Sequence, residues 1–200
     1  MRILQVVYSL SPGGAEGFTT NLSLALSRSG AEVKVFCLAG LRGERGRVLC
    51  SRLQRHGVEV IGGKPRSKGL SVSTLLHWIR LPLLIRRWRP NIVQINHRIL
   101  DMPCLLAQLG SLGTGAHFIR RLSSTKQTGG YHSTFTTRLM DRFYECTIAC
   151  APSVSTAYRN HMNGRTRTQL VTIINGGELL DSVPTGEEKQ RSRRLLNIPE

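Results

Sequence analysis

Seven short apolar runs, most of them rich in β-branched residues, recur along the chain at 3–8, 33–38, 58–61, 92–95, 116–119, 147–150 and 170–174. Longer stretches of helical periodicity separate them. An uninterrupted apolar run is a strand buried on both faces, the condition of a parallel sheet, and parallel neighbours need a long crossover between them. The alternation therefore predicts an α/β fold, a Rossmann-like parallel sheet flanked by helices. Two hundred residues suffice for one such domain and a short tail.

The intervening segments agree. Ala15, Phe18, Leu22, Ala25 and Leu26 share one helix face, and Gly30 supplies a stop. Residues 71–91 predict a long helix, apolar over more than half its circumference, kinked near Pro82 and ended by Pro90. After the last run, Asn175-Gly176-Gly177, Pro184 and Gly186 are turn and linker chemistry, and 189–197 begins a helix that the chain does not finish.

Charge narrows the partners. Twenty-eight Lys and Arg face 12 Asp and Glu, a formal net charge of +16, so the partner is expected to be anionic: a phosphate-bearing ligand, nucleic acid or an acidic membrane face. Between residues 60 and 140 the sole acid is Asp101. The five cysteines are odd in number and lack C-x-x-C spacing, which predicts small buried thiols in a reducing compartment. The first apolar run is too short for a signal-peptide core, and the longest uncharged stretch, 102–119, is broken by Pro103 and three glycines. A cytoplasmic protein is expected, peripheral at most to the inner face of a membrane.

Between the first strand and the first helix lies Ser11-Pro12-Gly13-Gly14-Ala15-Glu16-Gly17. In open α/β sheets ligands sit beyond the carboxyl ends of strands. Gly13 and Gly14 let a backbone approach a ligand there, with helix N–H groups facing an anion; a tight helix entry explains the pair equally well. Two nucleotide motifs fail. Proline occupies the first glycine position of G-x-G-x-x-G, and the second strand ends without an acid for a ribose; G-x-x-x-x-G-K-[ST] occurs nowhere.

The same loop, with Asn21-Leu22 and Leu26 in the helix after it, resembles the N-terminal half of the GT-B glycosyltransferases of family 4. Arg-Pro-Asn-Ile-Val-Gln-Ile-Asn-His (89–97) is similar to that family's fourth strand. Residues 147–162 and 170–181 match its later strand-helix and Asn-Gly turn, and 193–200 resembles the start of its second domain. The resemblance implies residues 1–175 as an N-terminal, acceptor-side domain and 176–200 as linker and truncated start of a C-terminal one. It implies transfer of a sugar from a nucleotide-sugar donor to a glycan, lipid-linked or small acceptor, with retention, no cofactor and no essential metal. The paired domain that contacts the nucleotide is expected downstream or on a partner chain.

Site residues follow from these placements. Gly13 and Gly14 are expected near the donor diphosphate, whose growing charge needs preorganised donors. Gln94 and Asn96 stand where the family often has histidines; Asn96 is assigned to a sugar hydroxyl and His97 to catalysis near the acceptor, or else to a local loop hydrogen bond. Residues 117–133 predict a loop whose Arg120, Arg121 and Lys126 bind acceptor. Glu16 is assigned to the helix dipole. The helix bearing Trp78, Arg80, Arg86, Arg87, Trp88 and Arg89 could rest on an anionic membrane, although a crossover helix with a solvated basic face is the simpler account. The competing class is a non-catalytic basic module on nucleic acid or membrane; no helix-turn-helix, zinc finger or aromatic RNA-binding motif supports nucleic acid.

Overall fold

A computed structural model describes residues 1–11, 13–41, 43–62, 72–96, 100–125 and 139–175, with Gln190. In chain order the elements are β1 (Arg2–Val7), α1 (Gly14–Arg28), β2 (Glu32–Cys37), α2 (Gly43–Arg55), β3 (Glu59–Gly62), α3 (Val72–Trp88), β4 (Ile92–Ile95), α4 (Asp101–Gly110), β5 (His117–Leu122), β6 (Cys146–Ala149), α5 (Pro152–His161) and β7 (Gln169–Thr172). The seven strands form one sheet of order β3-β2-β1-β4-β5-β6-β7, parallel throughout. All seven apolar runs became strands, and the α/β expectation holds.

Two faces follow from the two-residue period of a strand. Ile3 and Val7 of β1 pack with Val33, Val35, Leu24 of α1 and Leu53 of α2. Leu4 and Val6, one residue out of phase, pack with Phe36, Val93 and Ile95 against Leu81, Ile85 and Trp88 of α3 and Cys104 and Ala107 of α4. Leu122 and Ala149 continue that second face onto Val154 and Tyr158 of α5 and Met162 at its C-cap. Each Val, Leu, Ile, Phe or Met among them, fully buried, contributes about 1.5–3 kcal/mol.

α3 runs through Pro82 rather than stopping there. It ends at Trp88, where Arg89 takes a left-handed conformation, φ 50°. Trp88 is buried and its Nε1 donates to Glu32 Oε1 at 3.0 Å, which fixes α3 as a crossover helix packed on the sheet. The side chain of Trp78 lies outside the described residues.

One expectation is corrected. The segment after the fifth apolar run, expected to be a loop from His117, is strand as far as Leu122. Arg120 and Arg121 are strand residues, 0% and 2% exposed. Charge made the run look finished, whereas the interior holds partners for it.

Candidate functional site

The strand order reverses between β1 and β4, so the two chains of connections leave the sheet in opposite directions and open a crevice at its carboxyl end. The glycine loop sits on this crevice. It is firmly held: Leu10 N donates to Gly40 O at 3.2 Å, Leu10 bridges Leu41, and Gly46 of α2 approaches so closely that a Cβ there would lie 2.4 Å from Leu10 O.

The two glycines do different things. Gly13 is the N-cap of α1, in extended backbone at φ −175°. A Cβ on it would stand 2.2 Å from Glu16 Oε2, because the Glu16 carboxylate folds back over the loop, buried, and accepts from Ser11 Oγ at 3.2 Å. Glutamate at the third helical position also places its negative charge at the positive end of the helix dipole. Gly14 is the first helical residue, exposed, and a Cβ on it would meet nothing within 4 Å. The first helical bond runs from Gly17 N to Gly13 O at 3.1 Å, so the N–H groups of Gly14, Ala15 and Glu16 have no partner within the helix. A positive dipole end thus faces the crevice under bare backbone.

Beside the loop, three amides close a ring across β1 and β4. Gln5 Nε2 donates to Gln94 Oε1 (3.3 Å), Gln94 Nε2 to Asn96 Oδ1 (3.1 Å), and Asn96 Nδ2 to Gln5 Oε1 (2.8 Å). Asn96 is 0% exposed. Its expected reach to a sugar hydroxyl is therefore corrected: the amide is spent inside the sheet.

The two arginines of β5 part company, as neighbours on a strand must. Arg120 enters the face covered by α3, α4 and α5. Its Nη2 donates to Asp141 Oδ1 (3.0 Å), Thr147 Oγ1 (3.2 Å) and the Tyr158 hydroxyl, and Nη1 lies 3.5 Å from Asp101 Oδ2. The guanidinium stacks over Tyr144 and Tyr158, 4.7 and 5.3 Å from their centroids. Tyr158 donates to Asp141 and Tyr144 to Asp101. Burial opposes the charge on Arg120, but Asp101, the two tyrosines and Asp141 outweigh it and raise its pKa; burial raises those of both tyrosines. Arg120 is thus corrected from acceptor contact to the centre of a closed interior cage.

Arg121 points the other way, toward α1. Its Cζ lies 3.7 Å over the Phe18 ring, Nη2 donates to Asn175 Oδ1 at 2.8 Å, and Nη1 is buried with no partner. Burial lowers its pKa. It joins the first turns of α1 to the chain leaving β7, both at the crevice. His97 and Lys126 lie outside the described residues.

Among the described residues no three His, Cys, Asp or Glu side chains converge as metal ligands, and no helix is long and apolar enough to cross a membrane. All five cysteines are free, three of them buried. Sequence reading missed Gln5, Asp141, Tyr144, Tyr158 and Asn175 as partners. The signal available was two adjacent arginines inside an apolar run, which demand buried acceptors.

Comparison with known proteins agrees with this fold. The family model for Glycosyltransferase Family 4 matches residues 12–177. Among solved structures, Anabaena Alr3699/HepE in complex with UDP and glucose superposes with a TM-score of 0.69 at 18% identity, over 98% of this chain and 50% of that one. A glycosyltransferase from Rickettsia africae ESF-5 gives 0.65 at 17%, over 100% and 50%. Acinetobacter baumannii MurG gives 0.53 at 13%, over 92% and 47%. The fold is thus half of a GT-B fold, and the chain spans about half the length of the structures it matches. No curated protein matches the sequence.

Proposed function

Since the chain belongs to glycosyltransferase family 4, we propose that it forms the acceptor-side wall of a cleft in which a sugar passes, with retention and without an essential metal, from a nucleotide diphosphate to an acceptor. Residues 1–175 are that wall, and 176–200 lead into a second, donor-binding domain. The acceptor is a glycan, a lipid-linked saccharide or a small molecule.

One observation carries the reading: Gly14 presents bare helix-start backbone to the crevice at the β1/β4 reversal, with nothing within 4 Å of its Cβ position. A leaving diphosphate needs fixed donors aimed at its developing charge, and the N–H groups of Gly14 and Ala15 at the positive end of α1 suit it. Gly13 serves by admitting the Glu16 carboxylate, which holds the loop. Arg121 acts as a positioning residue: it fixes Phe18, one turn beyond Gly14, against Asn175. His97 is retained as the group near the acceptor and Lys126 as an acceptor contact.

Uridine diphosphate sugars are the donors to test first, since the HepE structures hold UDP and UDP-glucose. The experiment supplies residues 1–175 with a second domain and measures sugar transfer, with residues 1–200 alone in parallel. Transfer should require the second domain. Equal turnover by residues 1–200 alone refutes the two-domain cleft.

A further inference from the structure

Arg120 and Arg121 are neighbours on β5, 0% and 2% exposed, and they are neutralised unequally. Arg120 sits among two carboxylates and two tyrosine rings. Arg121 has the Phe18 ring against one face of its guanidinium and the neutral amide oxygen of Asn175 on Nη2, while its Nη1 is buried with no partner. A guanidinium stays protonated in a protein, and a buried charge without a counter-ion is costly. Packing alone does not explain a charge kept in that position.

Among the described residues no carboxylate pairs with Arg121. Asp101 and Asp141 flank Arg120, Glu145 is tied to His117, Glu32 to Arg2 and Glu59 to Lys34. Glu16, on the same helix as Phe18, is turned back over Gly13 to Ser11. Glu44 stands in α2, which packs against β3, four places along the sheet from β5. In the sequence, the stretch from Ser123 to Met140 contains no acid. The groups about Arg121 all belong to the rim of the crevice: Phe18 is one helical turn beyond Gly14, β5 ends one residue after Arg121, and Asn175 follows β7.

We infer that the missing anion arrives with the acceptor, which ends in an acidic sugar whose carboxylate pairs with Arg121 Nη1. This rests on the sugar-transfer reading and narrows its acceptor, from a glycan, a lipid-linked saccharide or a small molecule, to a uronic acid residue. One guanidinium balances the single charge of a carboxylate, whereas a phosphate monoester carries about 1.5 to 2 charges at pH 7. With Phe18 against one face of the guanidinium, the free hydrogens of Nη1 lie in a plane along the ring. A planar carboxylate fits edge to edge there. The donor diphosphate is assigned to the N–H groups of Gly14 and Ala15, a turn away on α1.

The test is an NMR titration of the 200-residue chain with methyl glucuronide and methyl galacturonide, and with methyl glucoside and methyl galactoside, in which a hydroxymethyl group replaces the carboxylate. A charge-assisted hydrogen bond is worth roughly 10- to 100-fold, so one uronide should bind more tightly than its neutral counterpart by about that factor. Arg121→Gln should erase the preference, and Arg121→Lys, which keeps the charge, should restore part of it; circular dichroism checks that both fold. The comparison in the parent chain decides even if neither variant folds. Equal affinity for uronide and glycoside, or binding of neither, overturns the acidic acceptor. So does tighter binding of inorganic phosphate or of UDP that is lost in Arg121→Gln, since the arginine would then serve a phosphate or the donor. In the two-domain enzyme, transfer to neutral acceptors alone would overturn the acidic acceptor and leave the transfer reading standing, whereas no transfer at all, with the uronide preference intact, would refute the transfer reading and with it the acceptor role.

Discussion

Gly13 and Gly14 are adjacent, yet replacing each by alanine should move stability in opposite directions. At Gly14 the new methyl meets nothing within 4 Å and the backbone is outside the left-handed region. The change only reduces unfolded-state freedom and favours the helix, worth about 0.4–1 kcal/mol, or roughly 1–4 °C in Tm for a chain of this size. At Gly13 the methyl would stand 2.2 Å from Glu16 Oε2, so the carboxylate must swing out and Ser11 loses its 3.2 Å bond. Losing a hydrogen bond of this kind costs about 1 kcal/mol, a fall of roughly 2–4 °C. Function should part from stability at Gly14. If a diphosphate rests on that backbone, a methyl that holds it back by about 1 Å lowers turnover on the order of 100-fold. Thermal unfolding of the 200-residue chain reads the first effect, and kcat/KM of the two-domain enzyme reads the second. A raised Tm with unchanged kcat/KM would show that no ligand approaches Gly14; a lowered Tm would show that the helix start is wrongly placed.

Three further outcomes are expected. Arg120→Ala leaves Asp101 and Asp141 buried without their cation and should cost about 3–5 kcal/mol in urea unfolding; a loss below about 1 kcal/mol contradicts the cage. Gly46→Ala drives a methyl to 2.4 Å from Leu10 O, a backbone atom that cannot turn aside, and should cost about 1–3 kcal/mol; a neutral result would mean that α2 does not clamp the loop. Burial first, and then Cys50, pushes the Cys37 thiol from 9.0 up to about 12. Above pH 9 the unfolded chain therefore binds fewer protons than the native one, so stability is flat below that point and falls above it by up to about 1.4 kcal/mol per pH unit. Cys37→Ala should flatten part of that slope in unfolding measured from about pH 8 to 10, and an unaltered slope sinks the assignment.

The sheet was legible because burial on both faces leaves continuous apolar runs, and the strand positions differ from the runs by a few residues at most. β5 shows where that rule stops. Its run breaks at Arg120 although the strand continues to Leu122, because the neutralising groups come from Asp101, Asp141 and Tyr158, 19, 21 and 38 residues away. No local pattern announces such partners. The glycine loop was legible as a crevice wall, but the division of labour within it was not: that Gly13 yields space to Glu16 depends on a side-chain conformation. Asn96 was misplaced for a related reason, since its partner Gln5 is 91 residues distant.

That separation has a consequence for synthesis. β1 lies between β2 and β4, so when the first 62 residues have emerged, β1 has one neighbour and an open edge along Ile3 to Val6. The strand that closes the edge arrives about 90 residues after β1. At about 5–20 residues per second, the seam stays open for roughly 5–18 seconds, an apolar edge able to pair with another nascent chain. The amide ring of Gln5, Gln94 and Asn96 lies on that seam. Any register but the native one turns those amides to the wrong face or parts them, so a mispaired chain buries polar groups without partners and is released to try again.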